Sequence, residues 1–225
     1  MTERNPCVGS RPAPVAHRLI VAGLLVLLPQ VAAAQARATA IRIDGRIDEA
    51  AWDRAEPIEA FVQRHPREGA PPTFRTVARV LCDNGTIYVA VTAFDSNPEQ
   101  IKAYLTRRDV GSASDWVRVY IDSYHDRRTA YSFAVNPAGV KLDTYHFNDT
   151  NEDNSWDAVW DAVVRRDSVG WHAEFRIPYS QLRFSSGTDG TLGFAIARTI
   201  GRLDETSTWP LLVDLIPSFI WPCAP

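Results

Sequence analysis

From residue 40 onward the chain repeats one pattern: short runs rich in Val, Ile, Tyr, Phe and Trp, each closed by turn-forming residues. Such runs predict antiparallel β-strands, because β-branched and aromatic side chains suit a pleated, half-buried surface. Thr76 to Cys82 and Thr86 to Ala93 flank Asp83-Asn84-Gly85, and an Asn-Gly step between two apolar runs predicts a tight hairpin. Ala130 to Val135 and Val140 to Phe147 flank Asn136-Pro137-Ala138-Gly139, where proline presets the first central turn position. Ala158 to Arg166 and Trp171 to Ile177 flank Asp167-Ser168-Val169-Gly170, which predicts a third hairpin, and Leu192 to Ile200 supplies a further strand. Helical signals are confined to short pieces: Glu49 to Ala55 behind a capping Asp48, Pro98 through Leu105, and Pro178 to Leu182. None is long enough to organise a core. Strands without α/β alternation predict an all-β fold, an antiparallel two-sheet β-sandwich with a few short helices.

The first 36 residues follow a different pattern. Arg11, His17 and Arg18 precede an apolar run from Leu19 to Leu28, and Ala32-Ala33-Ala34-Gln35-Ala36 supplies the small residues of a cleavage site. That order is a secretory signal peptide, and the run is too short for a bilayer span of about 20 residues. The expectation is export to the periplasm, outer membrane or exterior of a bacterium. Three segments follow: a signal peptide over 1–36, a β-domain over 37–210, and an irregular tail over 211–225. Val213 to Pro225 is apolar, proline-rich and aperiodic, the mark of a truncated or frameshifted end.

Charge and cysteines narrow the function classes. Removing residues 1–36 takes away Arg4, Arg11, Arg18 and Glu3, leaving 21 basic and 26 acidic residues and a net charge of −5. A mildly acidic domain with scattered arginines argues against nucleic acid as a partner, since phosphates need a basic face. Cys7 leaves with the signal, and Cys82 and Cys223 stand in no C-x-x-C or Cys/His metal spacing. A disulfide between them is open to an exported protein, but a strand-end cysteine and a tail cysteine do not call for one.

Three strings in order carry a family resemblance: IDGRIDEAAW from Ile43 to Trp52, DWVRVYIDSYHDRRTAYSFAVNPAGVKLDT from Asp115 to Thr144, and SWDAVWDAVVRRDSVGWHAEFRIPYSQLRF from Ser155 to Phe184. Together, over about residues 41–210, they resemble carbohydrate-binding module family 9, most of all the family-9-like domain that begins a group of large bacterial outer-membrane proteins. The resemblance implies a β-sandwich that grips sugar termini or short glycan segments, in some members with structural calcium, and does no catalysis. Hydrolase labels would come from enzymes that carry the module in glycan utilisation. In the outer-membrane group a β-barrel follows this domain, whereas here the pattern fades after Thr208-Trp209-Pro210. Carbohydrate is the expected partner, together with an outer-membrane β-barrel missing from this chain.

Sugar recognition needs flat apolar faces for the C–H side of a pyranose and fixed polar groups for its hydroxyls. Trp116, Trp156, Trp160 and Asn154 are the carbohydrate-binding candidates. If residues 156–160 are extended, Trp156 and Trp160 point to one face, because side chains four apart in a strand share a side. Taken singly, each is a core aromatic before it is a binding residue, and Trp52 and Trp171 are expected in the core. Asp149, Asn151, Asp153, Ser155 and Asp157 place oxygen ligands at every second residue, as a Ca²⁺ loop does. The loop departs from an EF-hand, with Asn154 at the sharp-turn glycine position and Trp160 at the bidentate glutamate position.

Catalysis has less in its favour. A glycoside hydrolase needs two facing carboxylates, and Asp115, Asp122, Asp143 and Glu174 are the acids on offer. Asp115 and Asp122 lie at the ends of one strand, about 23 Å apart at the usual rise, too far for a pair. Glu174 is expected to pair with an arginine such as Arg176, Arg183 or Arg198. The histidines show no H-x-H or H-E-x-x-H spacing, and neither G-x-S-x-G nor a Gly-rich phosphate loop occurs. The reading is non-catalytic carbohydrate binding, with a periplasmic or surface interaction domain as the alternative and a glycoside hydrolase behind it.

Overall fold

The computed structural model describes residues 41–83, 85–148, 151–184, 191–211 and 220–222. Its strands are β1 (Val62–His65), β2 (Thr76–Asp83), β3 (Thr86–Phe94), β4 (Trp116–Asp122), β5 (Thr129–Val135), β6 (Lys141–Phe147), β7 (Asn151–Asp153), β8 (Asp161–Arg166), β9 (Gly170–Pro178), β10 (Thr191–Ile200), β11 (Glu205–Trp209) and β12 (Ile220–Pro222). They form two antiparallel sheets. The larger runs β1-β11-β10-β4-β5-β6-β7, with β12 also pairing with β10, and the smaller runs β2-β3-β9-β8. Residues 1–36, where the sequence predicts a signal peptide, lie outside the described residues.

All three predicted hairpins form, as β2/β3, β5/β6 and β8/β9. Their turns follow local chemistry. Buried Asn136 turns its Oδ1 onto the Ala138 and Val140 amides, closing the β5/β6 loop. Gly170 has φ +149°, and a Cβ there would lie 2.1 Å from the Ala93 carbonyl oxygen, so the position admits no side chain. The first strand of the third hairpin starts at Asp161 rather than Ala158. The reason is that side chains of the large sheet have taken the backbone groups before it: Asp143 Oδ2 accepts the Ala158 amide at 2.7 Å and Lys141 Nζ donates to the Trp160 carbonyl at 2.7 Å.

The strands that the hydrophobic pattern does not announce are polar ones. In β1 and β11 the buried residues include Gln63, Ser207 and Thr208, which leaves no apolar alternation to read. Ile220–Pro222 pairs with Thr191–Gly193 in a stretch without periodicity. The three helical signals shrink to 3-10 turns, Trp52–Arg54, Pro98–Gln100 and Tyr179–Gln181. Asp48 makes no capping bond; the first turn is entered through Ala51. No helix among the described residues is long and apolar enough to cross a membrane. Cys82 is disulfide-bonded, its partner lying outside the described residues.

The core lies between the sheets, as strand alternation requires. Val117, Val119 and Ile121 of β4, Phe133 and Val135 of β5, and Trp171, Ala173, Phe175 and Ile177 of β9 are fully buried in it. Arg198 of β10 is buried among them and stitches one sheet to the other, donating to the carbonyls of Arg75 and Phe94 and to Thr76 Oγ1. Burial pulls its pKa down to about 10, against the opposing pull of Asp115, Asp95 and Glu205. Trp171 is in this core at 0% exposed, while Trp52, also buried at 1%, lies on the other side of the small sheet against Glu174.

The two outer faces are finished differently. On the small sheet, Glu174 alternates with the core residues Ala173 and Phe175 and so faces outward. The segment carrying Asp44, Gly45 and Trp52 lies over it. On the large sheet the outward residues of β4 border a cavity instead, with Trp116 8% and Tyr120 6% exposed.

Candidate functional site

Alternation along β4 determines what the uncovered face carries. Val117, Val119 and Ile121 point inward, so Trp116, Arg118 and Tyr120 point outward. Around them the neighbouring strands contribute Leu142 and Thr144 of β6, Ala197 and Thr199 of β10, Thr206 of β11 and Arg64 of β1. The edge strand β7 adds Glu152, and Asn154 follows it. Together they enclose an open cavity of about 460 Å³, within the size range of small-molecule sites.

Its floor is apolar and aromatic. Trp116 packs on Ala134, Val140 and Leu142, while Tyr120 packs on Ala195 and Ala197. The Trp116 indole N–H donates to the Ser112 carbonyl at 3.0 Å, fixing the ring. Arg118 lies over the Tyr120 ring, 6.0 Å from its centroid, and donates weakly to Ser132 Oγ at 3.3 Å. Beneath them His146 bonds Ser132 Oγ through Nε2 at 2.8 Å. Burial, with Arg118 adding to it, pulls the imidazole pKa down to about 4, so it is neutral at pH 7.

The rim offers hydroxyl, amide and charged groups with capacity to spare. Asn154 Oδ1 accepts from Thr144 Oγ1 at 2.9 Å, which leaves its Nδ2 donors turned to other partners. Thr199 and Thr206 share one bond at 3.1 Å. Arg64 and Arg118 supply guanidinium donors, and Glu152 an acceptor. By contrast Asp143, at the wall, is already saturated. Its Oδ1 accepts from Arg108 Nη2 at 2.7 Å and Trp160 Nε1 at 3.0 Å, and its Oδ2 accepts the Ala158 amide at 2.7 Å.

Of the four carbohydrate-binding candidates, Trp116 and Asn154 line this cavity. Trp160 does not. It is 2% exposed, stacks parallel to Phe175 at 5.9 Å, and meets Phe133 edge-on at 5.3 Å. Trp156 is half-buried against Tyr131 and Phe133. The exposed Trp156/Trp160 platform expected from an extended 156–160 segment is therefore absent: these residues precede β8, Trp160 is sealed in the core, and Trp156 packs at the core's edge.

The calcium candidates are not drawn to one point. Asp149 lies outside the described residues. Asn151 and Asp153 share a side of β7, but Asp153 Oδ1 turns back to accept the Ser155 amide and hydroxyl at 2.9 and 2.6 Å. Asp157 joins Asp109 and Asp143 instead, with carboxylate oxygens within 4.8 Å of one another. Arg108 already supplies the positive charge there, 2.7 Å from both Asp143 and Asp157.

The acids proposed for catalysis are likewise scattered. Asp115 and Asp122 are buried at the two ends of β4, accepting the amides of Gly201 and Arg127. Glu174 pairs with no arginine, contrary to expectation. Its Oε2 accepts the Asp44 and Gly45 amides at 3.0 and 2.8 Å, and its Oε1 the Trp52 indole N–H at 3.2 Å. The physical reason is the side of the sheet: Arg198 is in the core between the sheets, and Arg176 is held by Asp161 at 3.3 Å. Gly45 makes the close approach possible with φ +82°, a conformation that favours glycine.

Arg118, Tyr120, Glu152, Thr144 and Arg64 were not singled out from sequence. The signal for the first two was there: Val117, Val119 and Ile121 mark the inner face of a strand, and every residue between them faces out. Glu152 and Arg64 lie on short edge strands whose register no sequence pattern sets.

The family described as "Carbohydrate family 9 binding domain-like" matches residues 43–206. No curated protein sequence matches the chain. Among solved structures, a family 9 carbohydrate-binding module from Caldicellulosiruptor kristjanssonii, in complex with glucose, is 16% identical with a TM-score of 0.52. The alignment covers 75% of this chain and 79% of that one. The same organism's module in complex with cellotriose gives 16% identity and a TM-score of 0.50, over 75% and 77% of the two chains. A candidate carbohydrate-binding protein from Bacteroides uniformis is 15% identical with a TM-score of 0.57, over 76% and 84%. At these identities the likeness is one of fold.

Proposed function

The chain belongs to the carbohydrate family 9 binding domain-like family, a family of binding modules, and we propose that it holds a glycan end or short glycan segment in the outer-face cavity. One observation carries the reading: a single cavity of about 460 Å³ joins an aromatic floor, Trp116 and Tyr120, to a rim of guanidinium, carboxylate, amide and hydroxyl groups. A pyranose has the complementary make-up, an apolar C–H face bordered by hydroxyls that both donate and accept. Arg64, Arg118 and Asn154 donate to it, and Glu152, Thr199 and Thr206 accept from it. The solved neighbours that hold glucose and cellotriose make these sugars the first probes. Hydrolysis is not part of the proposal, because the saturated Asp143 and the remote Glu174 do not face one another across the cavity.

Calorimetry with glucose and cellotriose tests the proposal. The wild-type protein is expected to bind saturably. Trp116→Ala and Arg118→Ala should each weaken binding at least about tenfold, equivalent to about 1.4 kcal/mol, while the protein stays folded. Absence of binding by the wild type to these sugars and to xylo- and chito-oligosaccharides overturns it.

A further inference from the structure

Beyond the outer-face site, the inner side of the same sheet edge carries a second cavity. It measures about 240 Å³ and is lined by Tyr124, Tyr131, Tyr145, Asp153, Trp156 and Arg183. That is below the roughly 300 Å³ at which drug-sized sites begin, a space for one ring rather than a chain. The cup is built on neighbouring residues of β5, β6 and β7. Tyr131 pairs with Tyr145 across β5 and β6, and Tyr145 with Asp153 across β6 and β7. Strand alternation along β7 therefore sends Glu152 to the outer cavity and Asp153 to this one.

We propose that this cup binds a uronate, a pyranose ring bearing a carboxylate. Its wall is a continuous aromatic array: Trp156 lies 4.8 Å from Tyr131, Tyr131 lies 5.2 Å from Tyr145, and Tyr145 stacks on Phe147 at 5.7 Å. The half-buried Trp156 and Tyr145 present surface to the cavity, the kind of flat face a sugar ring takes. Burial pushes the Tyr131 hydroxyl up to about 12, with Tyr124 and Tyr145 adding to it and Arg183 opposing. Burial also raises Tyr145. Both phenols are therefore O–H donors at neutral pH.

The two charged groups select the ligand class. The exposed Arg183 guanidinium makes no ion pair among the described residues, whereas Arg108, Arg176 and Arg202 each do. A planar guanidinium beside phenol donors matches a carboxylate. Asp153 has one oxygen taken up by Ser155 and the other open to a ring hydroxyl. A bare inorganic anion would offer Asp153 no hydroxyl, and a neutral sugar would engage Arg183 through hydroxyls alone, without the bidentate ion pair a carboxylate makes. A uronate engages both.

This site stands apart from the outer-face reading, and one experiment separates them. Glucuronate is titrated into wild-type protein and into Trp116→Ala and Arg118→Ala, either of which disables the outer cavity. Saturable glucuronate binding should survive in both variants and weaken at least tenfold in Arg183→Ala and in Tyr124→Ala. It should also weaken as salt is raised, while glucose and cellotriose binding to wild type is left unchanged by Arg183→Ala. Glucuronate binding that vanishes with Trp116→Ala and Arg118→Ala, or that ignores Arg183→Ala, overturns the uronate cup and leaves the outer site standing. Failure of glucuronate to bind wild type overturns it too.

Discussion

The sandwich has two outer faces, and the chain finishes them in opposite ways. The face of the small sheet is roofed where Trp52 and the Asp44-Gly45 turn close over Glu174, so that Trp52 is 1% and Glu174 0% exposed. The face of the large sheet stays open over β4, and its Trp116, Arg118 and Tyr120 line a cavity. Each face carries a tryptophan and a hydrogen-bonding cluster, but on the small sheet the carboxylate at the centre of the cluster, Glu174, is taken up by the roof, whereas on the large sheet the cluster borders a cavity. A roof turns a polar face into structure, whereas an unroofed one can recognise a ligand.

Removing the roof gives the largest expected effect. Trp52→Ala deletes a fully buried indole and the N–H that serves Glu174, and should cost about 3–5 kcal/mol, read from denaturant midpoints. Trp116→Ala removes a ring that is 8% exposed, packed on Ala134, Val140 and Leu142 and bordered by the cavity, and should cost less. If Trp116→Ala unfolds the protein as readily as Trp52→Ala does, the two faces are not different in kind.

The pH dependence of stability sharpens the same contrast. Burial, opposed by the Asp44, Gly45 and Trp52 donors, raises the Glu174 pKa from 4.5 to about 7. A carboxyl raised on folding binds its proton more tightly in the folded state, so stability is highest below about 4.5 and falls as pH rises towards 7. The loss from this group is on the order of 2–3 kcal/mol. Buried Asp115 and Asp122 are shifted upward by desolvation as well and act in the same direction. Melting curves from pH 4 to 8 should show the decline, and Glu174→Gln should flatten it. A melting temperature that instead rises across this window would mean that the three donors, not burial, dominate the roofed site.

The sequence was informative where side chains alternate in burial and silent where they do not. Hairpins announced by Asn-Pro-Ala-Gly and Asp-Ser-Val-Gly form as read, because turn chemistry is local. β1 and β11 escaped notice because Gln63, Ser207 and Thr208 are polar yet buried, on strands whose pairing is remote in sequence. Glu174 was assigned a charged partner because a buried carboxylate usually has one; that its partners are two backbone amides and an indole from residues 44–52 depends on which side of β9 it takes. Trp116 reached the cavity list on aromatic character alone, while Arg118 and Tyr120, on the same face by a two-residue period, needed the inner register to be read first. Trp156 and Trp160 illustrate the converse. Their spacing is that of a shared strand face, but Asp143 captures the Ala158 amide and the Trp160 indole before a strand can begin.

Calcium carries the smallest expected effect, and it bears on the edge of the open face. Of the described oxygen ligands between residues 151 and 157, Asp153 is committed to Ser155 and Asp157 to Arg108. A cation would have to compete with a guanidinium for Asp157 and with two hydrogen bonds for Asp153. Stabilisation by a ligand scales with the logarithm of its concentration over its dissociation constant, so a site that must first break these contacts gives little. Added Ca²⁺ should raise the melting temperature by about a degree, reversed by chelator, and Arg108→Ala should enlarge the rise by freeing the Asp109, Asp143 and Asp157 carboxylates. No shift in either protein removes calcium from the account of this edge. A rise of many degrees in wild type would mean that the loop rearranges around the ion, and that the open face has a metal-built wall.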